Sequence, residues 1–316
     1  MNRKGVAMTL GRLSHDSSPP NIATLVPDGS GVEDRQWTTA FISDLHLLSA
    51  RSNYSQHMRS VRRAVESADV CVWGGDLFDF CWSCEGDGPT SRRIAVDWLE
   101  AWREEFPEKR FVYLTGNHDA QPRFQQSLAD WAAPHQRLSA KPNPTGESSP
   151  TGEPGLTGDQ STAAITTPRE LALYEGAVYV GLDAVRVGDC LMVHGDVIEG
   201  GGSHAGLGRY RSRWHHERTG IHEPPAIRNH LYNAAVTARL HLATAGVAHR
   251  RKRVCMRLLH WIRSQPDWLG SGVQRIVFGH THRRMGGFRI AGYEFYNAGA
   301  AVKHVPFEPI VLDLSF

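Results

Sequence analysis

The sequence predicts an α/β fold built as one large domain, with helices packed outside a sheet or a pair of sheets. Three observations lead there. Short apolar runs alternate with stretches of helical periodicity through the first half of the chain, and strand-like runs dominate the second half. Several of these runs stop abruptly at glycine or at a cluster of Asp, Asn and His, as strands of open α/β sheets do where they place chemistry. The 316 residues are 41% hydrophobic, which suffices for a full core.

Taken in order, residues 1–36 read as a mobile N-terminal arm, lacking the apolar stretch of a signal peptide or an anchor. Residues 37–43 (WTTAFIS) are β-branched and aromatic and form the first core strand. Residues 56–68 place Met58, Val61 and Val65 at helical spacing with arginines opposite. Val70, Cys71, Val72 and Trp73 then read as a buried strand, halted by Gly74 and Gly75, which let the chain turn sharply before Asp76. A second amphipathic helix spans 91–106, a strand 110–115 and a short helix 122–131. Residues 141–168 are Pro, Gly, Ser and Thr with almost no large apolar side chain, the composition of a flexible surface insertion. Strands resume at 177–181, 184–187 and 190–193, and a basic, largely helical segment covers 200–264. Strands at 275–278, 288–290, 293–296 and 310–314 close the single domain, 37–316, with an antiparallel tail.

Composition removes several function classes. Five cysteines are too few and too odd in number for a disulfide framework, so a reducing, cytoplasmic setting fits. Cys81 and Cys84 form a C-x-x-C with no second pair and read as ordinary loop thiols. No apolar run reaches the length of a membrane span. The net charge of +2 points to no partner class by itself.

The chemistry sits where strands end. Five ends offer Asp44 and His46, Asp76, Asn117 and His118, His194, then His280 and His282, all oxygen or nitrogen donors. In an Asp-x-His or His-x-His pair, strand alternation sends both side chains to one side. The inventory calls for two metal ions, because a lone four-coordinate zinc would leave several donors idle. Asp76, central in the order, is placed to bridge them. Mixed imidazole, carboxylate and amide donors suit Mn first, with Fe or Zn as alternatives, over Mg or Ca. Two cations about 3.5–4 Å apart lower the pKa of a water held between them and clamp the oxygens of an in-line displacement at phosphorus. His118, beside Asn117, is then available as general acid, with Asp119 as its orienting partner. Asp79 and Asp196 are expected to orient ligands rather than bind the ions.

Asp44-x-His46, Gly75-Asp76-x-x-Asp79, Gly116-Asn117-His118-Asp119, His194 and Gly279-His280-x-His282 together resemble the calcineurin-like binuclear metallophosphoesterases, in that family's order. The resemblance implies a four-layer αββα sandwich with the site at the strand ends. It further implies one ion held by Asp44, His46, Asp76 and His282, and another by Asp76, Asn117, His194 and His280. The wording around the blocks is similar to the UDP-2,3-diacylglucosamine hydrolases, which cleave a lipid-linked pyrophosphate. This chain differs from them at His118, where that group often carries Arg, and in its length. Ser/Thr protein phosphatases fit less well, since Asp79-Phe80 and Asp119 stand where they carry other residues. The expected reaction is hydrolysis of a phosphoester or pyrophosphate, on a UDP-sugar lipid or related compound. A phosphodiesterase or phosphatase for small soluble substrates is the alternative, and a non-catalytic scaffold would have lost ligands that are all present here.

Residues 201–265 carry twelve Lys and Arg against Glu217 and Glu223, with apolar residues interleaved. The placement resembles the helical cap of the lipid-sugar hydrolases. Three readings stand: a lid whose arginines, Arg209, Arg211 and Arg213 among them, hold substrate phosphates; an interfacial helix pair on anionic lipid at the inner membrane face; or a solvated basic face. The aromatics there are too scattered for a base-stacking platform, so nucleic acid is not an expected partner.

Overall fold

Strand pleat sorts this core into faces. The computed structural model describes residues 20–27, 36–135, 169–199, 204–215, 234 and 250–316. Its strands are β1 (Ile22–Pro27), β2 (Trp37–Ile42), β3 (Val70–Trp73), β4 (Arg110–Leu114), β5 (Arg169–Leu173), β6 (Val178–Leu182), β7 (Ala184–Val187), β8 (Cys190–Val193), β9 (Arg275–Phe278), β10 (Met285–Ile290), β11 (Tyr293–Asn297) and β12 (Ile310–Leu314). They form a five-stranded sheet, β12-β2-β3-β4-β6, and a seven-stranded sheet, β10-β11-β9-β8-β7-β1-β5. In β3, Val70 and Val72 join the cluster between the sheets while Cys71 and Trp73 join the cluster outside. In β8, Cys190 and Met192 face inward, and Leu191 and Val193 outward. Period-2 alternation thus gives every central strand two buried faces.

Helices cover both outer faces. α1 (Tyr54–Ser67), α2 (Gly88–Glu105) and α3 (Pro122–Ala132) set Val61, Val65, Leu99, Phe124 and Leu128 against the five-stranded sheet. On the other side, α4 (His204–Ser212) contributes Leu207, and α5 (Arg251–Arg263) contributes Val254, Leu258, Leu259, Trp261 and Ile262. A four-residue helix, α6 (Asp267–Gly270), follows. The order is helix, sheet, sheet, helix, which is the four-layer sandwich expected. Trp73 packs among Trp98, Trp102 and Phe111, and truncating it to Ala is expected to cost about 3–5 kcal/mol.

Three expectations change. The expected arm through residue 36 contains β1, which pairs in parallel with both β5 and β7. Neither β1 nor β5 shows clear local alternation, and both owe their state to long-range pairing. Residues 1–19 and 28–35 of the arm, and all of the 141–168 insertion, lie outside the described residues. The expected cap at 200–264 also divides. α5 is a helix of the outer layer, with six residues of its apolar face buried. Of the described cap residues, α4 and the turn after it, through residue 215, stand near the site, and 200–203, 216–233 and 235–249 lie outside the description. The tail is antiparallel only in part: β10 pairs β11 and β12 pairs β2 antiparallel, while β11 runs parallel to β9.

β2, β3 and β4 are parallel neighbours in one sheet, and β8 and β9 in the other. Their C-terminal ends therefore open at the same edges, and the five polar clusters follow these five strands.

Candidate metal centre

The strand ends converge. Asp44, His46 and His282 bring ligand atoms within 4.8 Å of one another, as do Asp76, His194 and His280, and His46, Asp76 and His118. Asp76 belongs to two of the groups. His46 Nε2 and His282 Nε2 stand 3.0 Å apart across 236 residues of sequence, and His282 Nε2 lies 3.3 Å from Asp44 Oδ1. Asp44, His46, Asp76, Asn117, His118 and His194 are buried, and His280 and His282 are partly open.

Turns rather than strand pleat aim these side chains. Asp44, His46, Asp76, His280 and His282 have φ between 47° and 64°, the left-handed region, which costs roughly 1–2 kcal/mol for a residue with a Cβ. Five of the eight such non-glycine residues described are in this cluster, so backbone strain is concentrated at the site. Hydrogen bonds between loops hold the strained turns: Asp44 N donates to Gly75 O (3.0 Å), His46 N to Asp76 O (3.1 Å), and His280 N to the Asp44 carboxylate (3.0 Å). Gly116 is needed for space, since a Cβ there would overlap Asp76 Oδ1.

The electrostatics fit divalent cations. Asp76 Oδ1 accepts the His118 amide (2.7 Å), and Oδ2 faces His194 Nε2 at 3.4 Å. Nδ1 of His194 donates to Gly74 O at 2.9 Å, which aims Nε2 at Asp76. Burial opposes charge on His194, yet Asp76, with Asp196 and Asp44 beyond, raises it to about 10. Burial likewise resists ionisation of Asp76, but the His194 and His118 imidazoles hold it well below the usual carboxylate range. A centre that draws protons onto a buried imidazole is one whose negative potential favours bound cations. His46 is pushed well down by burial and then by Arg51, and so stays neutral, as a ligand must. Asn117 Oδ1 and His194 Nε2 are buried polar atoms with no hydrogen-bond partner among the described residues. A buried polar atom left unpartnered in this way is costly unless something binds it.

Around the cluster, two expectations are corrected. Asp119 does not orient His118. It accepts from Gly116 N (2.7 Å), Leu77 N (3.1 Å) and Tyr113 OH (2.7 Å), and burial followed by Asp76 raises it to about 7. The orienting partner is Asp79, whose Oδ1 is 2.9 Å from His118 Nδ1. Arg211 is no free phosphate contact either. Its Nε and Nη2 donate to the two Asp196 oxygens (2.7 and 3.1 Å), Nη2 also to Thr115 O (2.8 Å), and Nη1 pairs with Asp183. It ties the end of α4 to the turn after β8 and to the loop after β4. Arg209 and Arg213 are exposed.

Four further residues shape the site. Arg51 donates to Asp79 Oδ2 at 2.6 Å beside His46 and His118. Asn297 holds the last turn by donating to Gly279 O (2.9 Å) and Thr281 Oγ1 (3.2 Å). Trp214 lies against His118 with ring centroids 4.3 Å apart, and Tyr210 meets His280 edge-on at 5.9 Å. A lone Arg in a loop or a Trp after a helix carries no local signal. Asn297, the last residue of β11, stands at a strand end much as the other cluster residues do, and was legible in principle.

Two packed sheets under helices, with a buried His/Asp centre at parallel strand ends, define a metal-dependent α/β-sandwich hydrolase. The model of the calcineurin-like phosphoesterase family matches residues 38–284, and the chain belongs to that family of binuclear metal-dependent phosphoester hydrolases. No curated protein matches the chain.

Proposed function

We propose that this chain hydrolyses phosphoric esters or pyrophosphates with two divalent ions sharing Asp76, Mn first and Fe or Zn as alternatives. Asp44, His46, Asp76 and His282 would hold one ion, and Asp76, Asn117, His194 and His280 the other. The observation that carries this is the membership of Asp76 in two donor groups, one with His194 and His280 and one with His46 and His118. When bound, such ions supply Lewis acidity toward phosphoryl oxygens and lower the pKa of water there.

The remaining work falls to the chain's own residues. His118 commits Nδ1 to Asp79 and so presents Nε2 to hold a proton for the leaving oxygen. Trp214, tilted against His118 with ring centroids 4.3 Å apart, screens that nitrogen from bulk water. Buried Asp196 and Arg211 fix the segment carrying Tyr210 and Trp214 over the centre.

For the substrate, a pyrophosphate linked to a UDP-sugar lipid is the first reading, supported by the block wording around Asp44, Asp76 and His280 and by the site's partly open His282 side. A small soluble diester or monoester is the second. Contact with anionic membrane is supported by the exposed run Arg250, Arg251, Lys252 and Arg253 at the start of α5. No helix among the described residues is long and apolar enough to cross a membrane. The test is a side-by-side assay of UDP-2,3-diacylglucosamine, nucleotide pyrophosphates and bis-p-nitrophenyl phosphate with added Mn. Turnover of the lipid-sugar above the others supports the first reading. No turnover of anything with any transition metal contradicts the enzymatic assignment.

A further inference from the structure

Arg51 stands in a triangle of site residues that no motif of the chain includes. Its Nη2 is 2.6 Å from Asp79 Oδ2, 2.8 Å from His46 Nδ1 and 3.5 Å from His118 Nε2. The side chain is 7% exposed and Asp79 is fully buried. The guanidinium arrives from a loop that is itself fixed. Lys303 N donates to Arg51 O at 3.0 Å, and the next residue, Ser52, bridges to Val302.

We infer that Arg51 is a positioning residue for proton delivery, which locks the Asp79–His118 pair and ties it to the His46 side of the metal centre. The inference rests on the role proposed above for His118. A carboxylate bound to His118 through Oδ1 alone can swing about its own axis, and the imidazole swings with it. Arg51 takes the second oxygen in a short charge-assisted bond, so both oxygens of Asp79 are committed, Oδ1 to His118 and Oδ2 to Arg51. The same nitrogen lies 2.8 Å from His46 Nδ1, so the guanidinium also packs against that ring. One group thus sets the distance between the proton-carrying ring and a ligand ring, whose centroids are 4.9 Å apart at 89°. Burial keeps Arg51 from acting as a mobile substrate clamp, so its effect passes through Asp79. Alignment of this kind matters most when the leaving oxygen is basic and needs its proton early.

The experiment uses Arg51→Met and Arg51→Lys in the full chain, with bis-p-nitrophenyl phosphate and diphenyl phosphate as good and poor leaving groups. Arg51→Met is expected to lower kcat on diphenyl phosphate about 10- to 100-fold and on the nitrophenyl ester less than about threefold, with KM nearly unchanged and metal content as in the parent. Arg51→Lys, which keeps a charge near Asp79, recovers part of the loss. Adding Arg51→Met to His118→Ala costs nothing further, because both act in one step. A structure of Arg51→Met shows the His118 ring displaced. An equal loss on both esters, an additive double variant, or an unmoved His118 ring overturns the inference. If the parent turns over neither ester, the functional reading fails by itself, and the position of the ring still decides the role of Arg51.

Discussion

Asp76 Oδ2 and His194 Nε2 face each other at 3.4 Å across the junction of the two sheets. β3 and β8, the strands that deliver them, belong to different sheets, so the pair exists only once the sandwich has closed. The centre is therefore a product of the whole core and not of any one loop.

Proton transfer and metal holding are carried by adjacent residues, and substitutions should separate them. His118→Ala is expected to retain metal and lose about 100-fold or more on a poor leaving group. Asp119→Ala instead removes the acceptor for Gly116 N, Leu77 N and Tyr113 OH, so its first effect is on stability. Thermal unfolding and elemental analysis of both variants check this. Metal loss from His118→Ala, with Asp119→Ala unchanged in melting temperature, would reverse the assignment.

Arg211 is expected to matter as a fastener. Its loss leaves Asp196 buried with no cation, at a cost of about 3–5 kcal/mol. Arg211→Met should also free the turn bearing Trp214, so limited proteolysis should cut near residues 204–215 faster than in the parent. Exposed Arg213 provides the contrast, and Arg213→Met should leave both readouts unchanged. Equal behaviour of the two variants would contradict this.

Glu100 gives a pH signature remote from the site. Arg103 is the main cause of its depression from 4.5 to about 2, resisted by partial burial and aided by Trp131 Nε1 at 2.7 Å on α3. The folded value lies below the unfolded one, so the contribution is present above about pH 4.5 and lost as pH falls toward 2. The carboxylate is 30% exposed, so solvent screening keeps the effect modest. Glu100→Gln should lower stability at neutral pH slightly and flatten its acid dependence, as read by denaturant unfolding from pH 6 to 3. An unchanged slope would show that the α2–α3 tie contributes nothing.

Much of this was legible before any coordinates. The strands that lead to Asp44, Asp76, Asn117, His194 and His280 are short and largely apolar, and all but the first stop at or next to a glycine, so their state is written locally. The cluster residues repeat one pattern, a donor after a strand. What was illegible depends on partners far away in sequence. β1 is a strand because β5 and β7, about 150 residues on, flank it. Asp79 rather than Asp119 faces His118 because the turn at Asp76 folds back, with φ of 52°, and alternation cannot count across a left-handed residue. α2 begins at Gly88, earlier than its periodicity shows, because Asp87 caps it by accepting from Thr90 N at 3.0 Å. That cap, an Asp followed by Gly-Pro, was a readable signal.

The most direct measurement is metal stoichiometry by calorimetric titration of Mn into metal-stripped protein, for the parent and for Asp76→Ala. Two ions per chain in the parent, and loss of tight binding at both sites in Asp76→Ala, is the outcome expected if one carboxylate serves both groups. A parent that takes up a single ion, or an Asp76→Ala variant that still binds two with parental affinity, would contradict it.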